Sequence, residues 1–346
     1  MPTIYGDRWV IKKSLGEGGQ AHTFLVTDSR GGGEELYVLK RLKNPKRIGR
    51  FMNEIEAIRN FNHENVLRLI DFSLEHAKPY LVTEHCKGGC LRDAEQFWAG
   101  SPIKALSLFQ QICGGVAYSH SKGVIHRDLK PENIFLRDRF GPPVIGDFGI
   151  CFLEYDTERL TLTEEAVGPR LYMAPEFEDG RIDTVLPEVD TYSLGKLLYW
   201  LISGQEFSRE KHREVRWDLK GKNEDTLLGW NNIYLEHVNR LLDKMITPQP
   251  ENRFPVETIQ VLARRTTRLV AKEFNPIDPR IRQPCTYCGT GVYVQRVRNN
   301  VTQLRNFGFQ AVGVSDWRIF TCSECGHVQI FRADYANRKD LWSLDE

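Results

Sequence analysis

The apolar residues of this chain change their spacing near Leu91, and that change dictates the architecture. Before it, short apolar runs alternate with turn residues: Trp9-Val10-Ile11, Thr23-Phe24-Leu25-Val26 and Leu36-Tyr37-Val38-Leu39, with Gly31-Gly32-Gly33 between the second and the third. This pattern predicts three strands of an antiparallel meander. Residues 47–61 then carry Ile48, Phe51, Ile55 and Ile58 at helical spacing, and strand-like runs return over 66–72 and 80–83. Beyond Leu91 the runs lengthen into helical segments over 103–121, 188–203, 233–245 and 256–273. A small sheet-rich lobe followed by a larger helical one is an α+β arrangement.

Composition narrows the class without naming a function. The 346 residues are about two domains' worth at ~150 residues each. Hydrophobic residues at 41% and charged residues at 27% are those of a globular protein, not a disordered or fibrous one. The net charge of +1, from 47 basic and 46 acidic residues, leaves no global field for nucleic acid or an anionic membrane, so such a partner would need a local patch. No apolar run approaches the ~18 residues that span a bilayer, and the first residues lack the apolar stretch of a secretory signal. The expectation is a cytoplasmic chain with reduced thiols and no membrane partner.

The 8 cysteines divide into two groups. Cys86, Cys90, Cys113 and Cys151 are scattered, and Cys151 reads as a small buried hydrophobe. The others form two C-x-x-C-G knuckles, Cys285/Cys288 and Cys322/Cys325. Four thiolates match tetrahedral Zn²⁺ with no open position, and in a reducing compartment metal is expected over disulfides or free thiols; redox or iron roles are the lesser alternatives. His327 is at hand, but four Cys already complete a site. Pro276, Pro279 and Pro284 mark residues 273–284 as a linker, 285–335 as a module and 336–346 as a tail. Strand-like runs over 292–297, 317–321 and 328–331 make the module resemble a zinc ribbon, too small to fold without its metal. Arg296, Arg298, Arg305 and Arg318 with Phe307, Phe309, Trp317 and Phe320 could form a nucleic-acid surface. Core aromatics with solvated arginines are the plainer reading at this net charge, and docking on a protein fits equally.

The chemistry concentrates at the joints of this map. Gly16-Glu17-Gly18-Gly19-Gln20-Ala21 lies between the first two strands, where bare backbone N–H groups can approach phosphates. Lys40 ends the third strand and Glu54 lies on the next helix. Then come His126-Arg127-Asp128-Leu129-Lys130-Pro131-Glu132-Asn133, Asp147-Phe148-Gly149 and Ala174-Pro175-Glu176. In this order the motifs resemble the eukaryotic-type (Hanks-type) Ser/Thr protein kinase family, across residues 9–272.

That resemblance implies a bilobal kinase fold, with a small lobe over about 9–84 and a large lobe over about 87–272. It implies ATP-dependent phosphoryl transfer to Ser/Thr hydroxyls of protein substrates, with Mg²⁺ or Mn²⁺. Lys40 would contact the α/β-phosphates and pair with Glu54, while Asp147 and Asn133 would ligate the cations, which prefer oxygen donors. Asp128 would orient the acceptor hydroxyl and take its proton, and Lys130 would offset transferring charge and mark the Ser/Thr type. Leu15, Gly16, Gly18, Thr23 and Val38 would surround the nucleotide, Thr83 would line the back of the adenine pocket, and the backbones of Glu84 and Cys86 would pair with the adenine edge. Asp190 would brace the catalytic loop, and Arg253 would fork onto Glu176.

Departures from the pattern bear on activity. Ala21 and Thr23 replace a glycine and an apolar residue of the loop, Val38 replaces a smaller residue, and Pro169 stands where a Thr usually contacts the catalytic loop. They keep a pseudokinase scaffold as the alternative; a small-molecule phosphotransferase is disfavoured by the protein-substrate elements. Arg127 implies a cationic pocket for an activation-loop phosphate. Glu165, beside Glu164, would partly substitute for that phosphate, with Thr161 and Thr163 as weaker autophosphorylation sites, against the reading of a plain solvated acidic loop.

Overall fold

The computed structural model describes residues 3–17, 21–31, 34–98, 101–149, 152–153, 171–177, 185–207, 238–239, 241–271, 285, 287–288, 291, 293–298 and 317–332. The chain divides into two compact units, Met1–Leu219 with Leu241–Ala263, and Lys220–Arg240 with Arg264–Glu346.

The first unit opens with an antiparallel sheet of β1 (Ile4–Tyr5), β2 (Trp9–Glu17), β3 (Ala21–Asp28), β4 (Leu36–Leu42), β5 (Leu69–Ser73) and β6 (Tyr80–Glu84), in the order β1-β2-β3-β4-β6-β5. Successive strand residues point to opposite faces, so Val82 joins Trp9, Val26 and Leu39 in one cluster while Leu81 joins Leu42 in another. The second cluster takes Phe51 and Ile55 of helix α1 (Ile48–Ile58), the apolar stripe predicted from its spacing. The strand expected over 66–72 begins later, at Leu69. Val66 instead makes an isolated parallel bridge to Ile145, and the Leu67 N–H donates to the Ile145 carbonyl, so this stretch ties the sheet to the part that follows.

That part is built on α2 (Pro102–Ser121) and α3 (Glu188–Ser203), with α4 (Val256–Val270) beginning in this unit and ending in the other. α3 is buried on every side from Val189 to Ile202, a helix through the centre of a core. Between α2 and α3 run two short ladders, β7 (Val124–Ile125) with β10 (Phe152–Leu153) and β8 (Ile134–Leu136) with β9 (Pro143–Ile145). These four short strands carry no strong sequence signal and were not anticipated. Of the helix expected over 233–245, residues 233–237 and 240 lie outside the described residues, while Val238, Asn239, Leu241 and Leu242 are helical and 243–245 form a turn; also outside lie Gly18, Cys151, Thr161, Thr163, Glu164, Glu165, Pro169, Arg305, Phe307 and Phe309. Among the described residues, no helix is long and apolar enough to cross a membrane.

In the second unit β11 (Tyr293–Arg298), β12 (Trp317–Cys322) and β13 (Val328–Arg332) form an antiparallel sheet, with a bulge between Gln295 and Val297. The β12–β13 turn is the second cysteine knuckle. Its Gly326 holds φ +74°, a left-handed conformation that suits glycine.

Candidate active site and a four-thiol cluster

The β3–β4–β6 register decides what can gather on one face of the sheet. Val38 pairs with Thr83 and with Leu25, and Lys40 pairs with Thr23 and Leu81. Two residues apart on β4, Val38 and Lys40 share a face. Lys40 Nζ lies 2.7 and 2.9 Å from the two Glu54 oxygens and 2.8 Å from Asp147 Oδ1. It thus joins three segments that lie far apart in the chain. Burial alone would lower the Lys40 ammonium, but Asp147 and then Glu54 more than offset it, so its pKa is raised. Lys40 holds the Asp147 carboxyl below its ordinary value, whereas burial lifts Glu54 against the pull of the same lysine. Asp147 itself adopts φ +59° and keeps nearly half of its side chain exposed.

The second set of groups comes from the loop between β7 and β8. Asp190 on α3 is fully buried and accepts from the backbone N–H groups of His126 and Arg127, both at 2.8 Å, with His120 Nε2 also at 2.8 Å. Desolvation would raise this carboxyl, yet the hydrogen bond and charge of His120, then His126 and the Arg127 N–H, bring it below its ordinary value. The clamp fixes the turn at Arg127, which holds φ +69°. At the next residue, Asp128 Oδ2 accepts from Lys130 Nζ at 2.6 Å and from Asn133 Nδ2 at 2.8 Å. Asn133 Nδ2 also donates to the Asp128 carbonyl at 2.7 Å, which fixes the amide so that its Oδ1 is left as an oxygen donor. Phe148 packs on His126 and Phe61, with ring centroids 4.6 and 5.6 Å away.

At the junction of sheet and helices, the Glu84 N–H donates to the Arg68 carbonyl at 3.2 Å, so its backbone offers only a carbonyl to a ligand. The Glu84 carboxylate accepts from Arg137 Nε and Nη2, both at 2.9 Å, and from the Arg68 N–H. Thr83 is buried, Val38 and Thr23 are half-buried, and Leu15 is exposed. Gly16 belongs to β2, and Ala21 is the buried first residue of β3, opposite Leu42. Burial pushes the Cys86 thiol up to about 12. The pair Arg253–Glu176 is a fork with distances of 2.6 and 2.8 Å.

His120 and Arg137, which hold these groups, escaped the sequence reading, and His126 entered it only as part of its motif, without a bracing role of its own. The partners of His120 and Arg137 lie tens of residues away, and nothing local marks them.

In the second unit the Sγ atoms of Cys285, Cys288, Cys322 and Cys325 all lie within 4.8 Å of one another. Cys285–Cys325 and Cys288–Cys322 are each 3.7 Å apart, far beyond a disulfide bond of about 2.05 Å. Backbone N–H groups of Tyr287, Gly291, Glu324 and Cys325 point at three of the sulfurs at 3.4 Å. A Cβ on Gly291 would collide with the Cys322 sulfur, a constraint the cysteine spacing does not reveal. Arg265 donates to the Ser323 carbonyl, and Arg265 and Arg268 stand 3.6 and 3.9 Å from the buried Glu324 carboxylate. The knuckle is therefore tied to the last turns of α4.

A two-lobed arrangement with a lysine–carboxylate triad on the sheet and a braced Asp–Lys–Asn set below it defines a phosphotransferase-like class of site. The profile of the protein kinase domain family matches residues 9–262, and the chain belongs to that family. It is 29% identical over 267 residues to serine/threonine-protein kinase D of Synechocystis sp., covering 72% of this chain and 50% of that protein. It is 33% identical over 217 residues to serine/threonine-protein kinase PkaA of Streptomyces coelicolor, covering 58% and 39%. It is also 29% identical over 255 residues to CBL-interacting serine/threonine-protein kinase 20 of Arabidopsis thaliana, covering 73% and 57%. The chain thus spans about half the length of these relatives or less, and the family match ends before the four-thiol cluster.

Proposed function

We propose that the chain is a Ser/Thr protein kinase that moves the γ-phosphoryl of ATP to hydroxyls of protein substrates in a reducing, cytoplasmic setting. The observation that carries this is Asp128, its Oδ2 held between Lys130 at 2.6 Å and Asn133 at 2.8 Å. A carboxylate so oriented can align an acceptor hydroxyl and take its proton, a role typically worth ~10² to 10⁴ in rate. Lys130 sits where it offsets negative charge as the phosphoryl moves, and Lys40, fixed by Glu54, would steady the α/β-phosphates.

The donor set fits a hard divalent cation: the half-exposed Asp147 carboxylate and Asn133 Oδ1, the oxygen its fixed amide leaves to donate. These two residues would hold Mg²⁺ or Mn²⁺, which supplies charge neutralisation and alignment of the phosphates. The Glu84 carbonyl and the Cys86 N–H would read the adenine edge between Val38 and Thr83, with Leu15, Gly16, Gly18 and Thr23 over the sugar and phosphates.

For the cysteine cluster we propose structural Zn²⁺. Zn–S bonds of ~2.3 Å in a tetrahedron require S···S edges of about 3.8 Å, and two of the edges are 3.7 Å. Four sulfurs leave no open position for catalysis, so the ribbon-like module serves docking, with a protein as its partner.

The kinase reading is tested by incubating the full chain with labelled ATP and Mg²⁺ beside Asp128→Ala. Label on the chain or on generic Ser/Thr substrates, lost in Asp128→Ala, is expected. Nucleotide binding without any transfer supports the pseudokinase scaffold instead.

A further inference from the structure

Away from the groups described so far, an ionic cluster among the described residues of the first unit centres on Arg92. Its Nε donates to Glu132 Oε1 at 2.8 Å, and its Nη2 lies 2.6 Å from Glu206 Oε1 and 3.5 Å from the Tyr172 hydroxyl. Its guanidinium carbon stands 4.8 Å from the centroid of the Trp200 ring. The carboxylates of Glu132 and Glu206 are 46% and 32% exposed, so they border solvent and are not core. Burial would lower Arg92 and raise Tyr172; Glu132 and Glu206 more than offset the first, and Glu206 adds to the second, so both hold their protons firmly.

The placement of the partners matters more than their number. Glu132 lies on the turn between Lys130 and Asn133, the two residues that hold Asp128. Tyr172 lies two residues before Ala174-Pro175-Glu176, and its carbonyl is pinned by Ser193 Oγ at 2.8 Å, while Lys196 Nζ pins the Leu171 carbonyl at 2.6 Å. One guanidinium thus bridges the turn that carries Lys130 and Asn133 and the segment leading into the Ala-Pro-Glu element, which on the kinase reading would flank an acceptor peptide at Asp128. Two carboxylates, a phenol and an indole face surround it, which is the donor-and-stacking environment that recognises an arginine.

We infer that Arg92 occupies, from within the chain, a guanidinium subsite that would otherwise select arginine in the substrate, so that Arg92 sets acceptor specificity by self-occupancy. With Arg92 in place, one of the two negative charges of Glu132 and Glu206 is offset and both carboxylates are already engaged by the same guanidinium, so a basic residue near the acceptor hydroxyl gains little. Removing the side chain uncovers a cavity already shaped for a guanidinium. This inference rests on the protein kinase reading above.

The test compares three Ser-containing peptides that differ at one position N-terminal to the acceptor: arginine, its neutral isostere citrulline, and alanine. For the native chain the kcat/KM values for the arginine and citrulline peptides agree within about twofold. In Arg92→Ala the arginine peptide gains about tenfold over citrulline, roughly the worth of one charge-assisted pair. Adding Glu132→Gln to Arg92→Ala erases most of that gain, whereas Glu132→Gln in the native background leaves the ratio unchanged. A native preference of tenfold for arginine overturns the inference before any variant is made. So does a folded Arg92→Ala that keeps the native ratio. If Arg92→Ala does not fold, Arg92→Gln, which retains the stem over Trp200, carries the same readout. A shifted ratio in Glu132→Gln alone also overturns it. Failure of the kinase reading is distinguishable: no peptide is phosphorylated, citrulline and alanine included, and self-occupancy falls with it.

Discussion

The fork between Arg253 and Glu176 offers a quantitative test that is independent of any activity. The Arg253 side chain is fully buried and Glu176 is 19% exposed. Besides the two bonds to Glu176, the guanidinium donates to the carbonyls of Thr247 at 2.9 Å, Pro248 at 3.0 Å and Glu188 at 3.2 Å. Glu176→Gln keeps the volume and one acceptor but removes the countercharge, leaving a buried cation held by neutral dipoles. Breaking a buried ion pair from one side costs ~3–5 kcal/mol, and the three remaining carbonyls place this case near 3. A domain of this size loses about 2–4 °C in Tm per kcal/mol, so the drop should be about 6–12 °C by scanning calorimetry of the full chain. Glu56→Gln serves as comparator. It breaks an ion pair of similar length, 2.7 Å to Arg59, whose side chains are 36% and 48% exposed, and should shift Tm by no more than about 2 °C. If Glu176→Gln unfolds within 2 °C of the native chain, or the two variants lose the same amount, the argument from burial is wrong.

Three further outcomes follow from the same geometry. Purified without chelator, the chain should carry one Zn²⁺ that mercurial modification of thiols releases, and Cys322→Ser should abolish the binding; metal-free native protein would refute the assignment. Cys86, with its thiol pushed up by burial to about 12, should react with iodoacetamide at pH 7.5 roughly a hundred to a thousand times more slowly than a free thiol. Mass-spectrometric labelling at the rate of an exposed cysteine contradicts this. Asp190 titrates below its unfolded value of 3.8 in the folded chain, so its stabilisation is present above that pH and lost as pH falls through the folded value. The stability gap between native and Asp190→Asn should therefore be widest near neutrality and close below about pH 4, and a gap that grows in acid would invert the reasoning.

What could be read ahead of the structure follows from how far apart in the chain the interacting groups lie. Asp128, Lys130 and Asn133 were legible together because six consecutive residues contain both the carboxylate and the donors that hold it. The four thiols were legible because each knuckle closes within three residues, and a backbone turn suffices to aim its sulfurs. Helix α1 was legible because its apolar stripe has no competing pattern. The start of β5 was not: Val66 is as strand-like as Leu69, and only its bridge to Ile145, far along the chain, decides that it leaves the sheet. Lys40 meeting Asp147 and Arg137 gripping Glu84 likewise need the lobes to be folded first, since no local period encodes a pair 107 or 53 residues apart. Arg92 is the extreme case, because in sequence it is one more polar residue in a short turn. Its meaning arises only when Glu132, Tyr172 and Glu206 arrive around it, and a long-range ionic cluster of that kind can change what the site accepts without altering any motif that identifies the family.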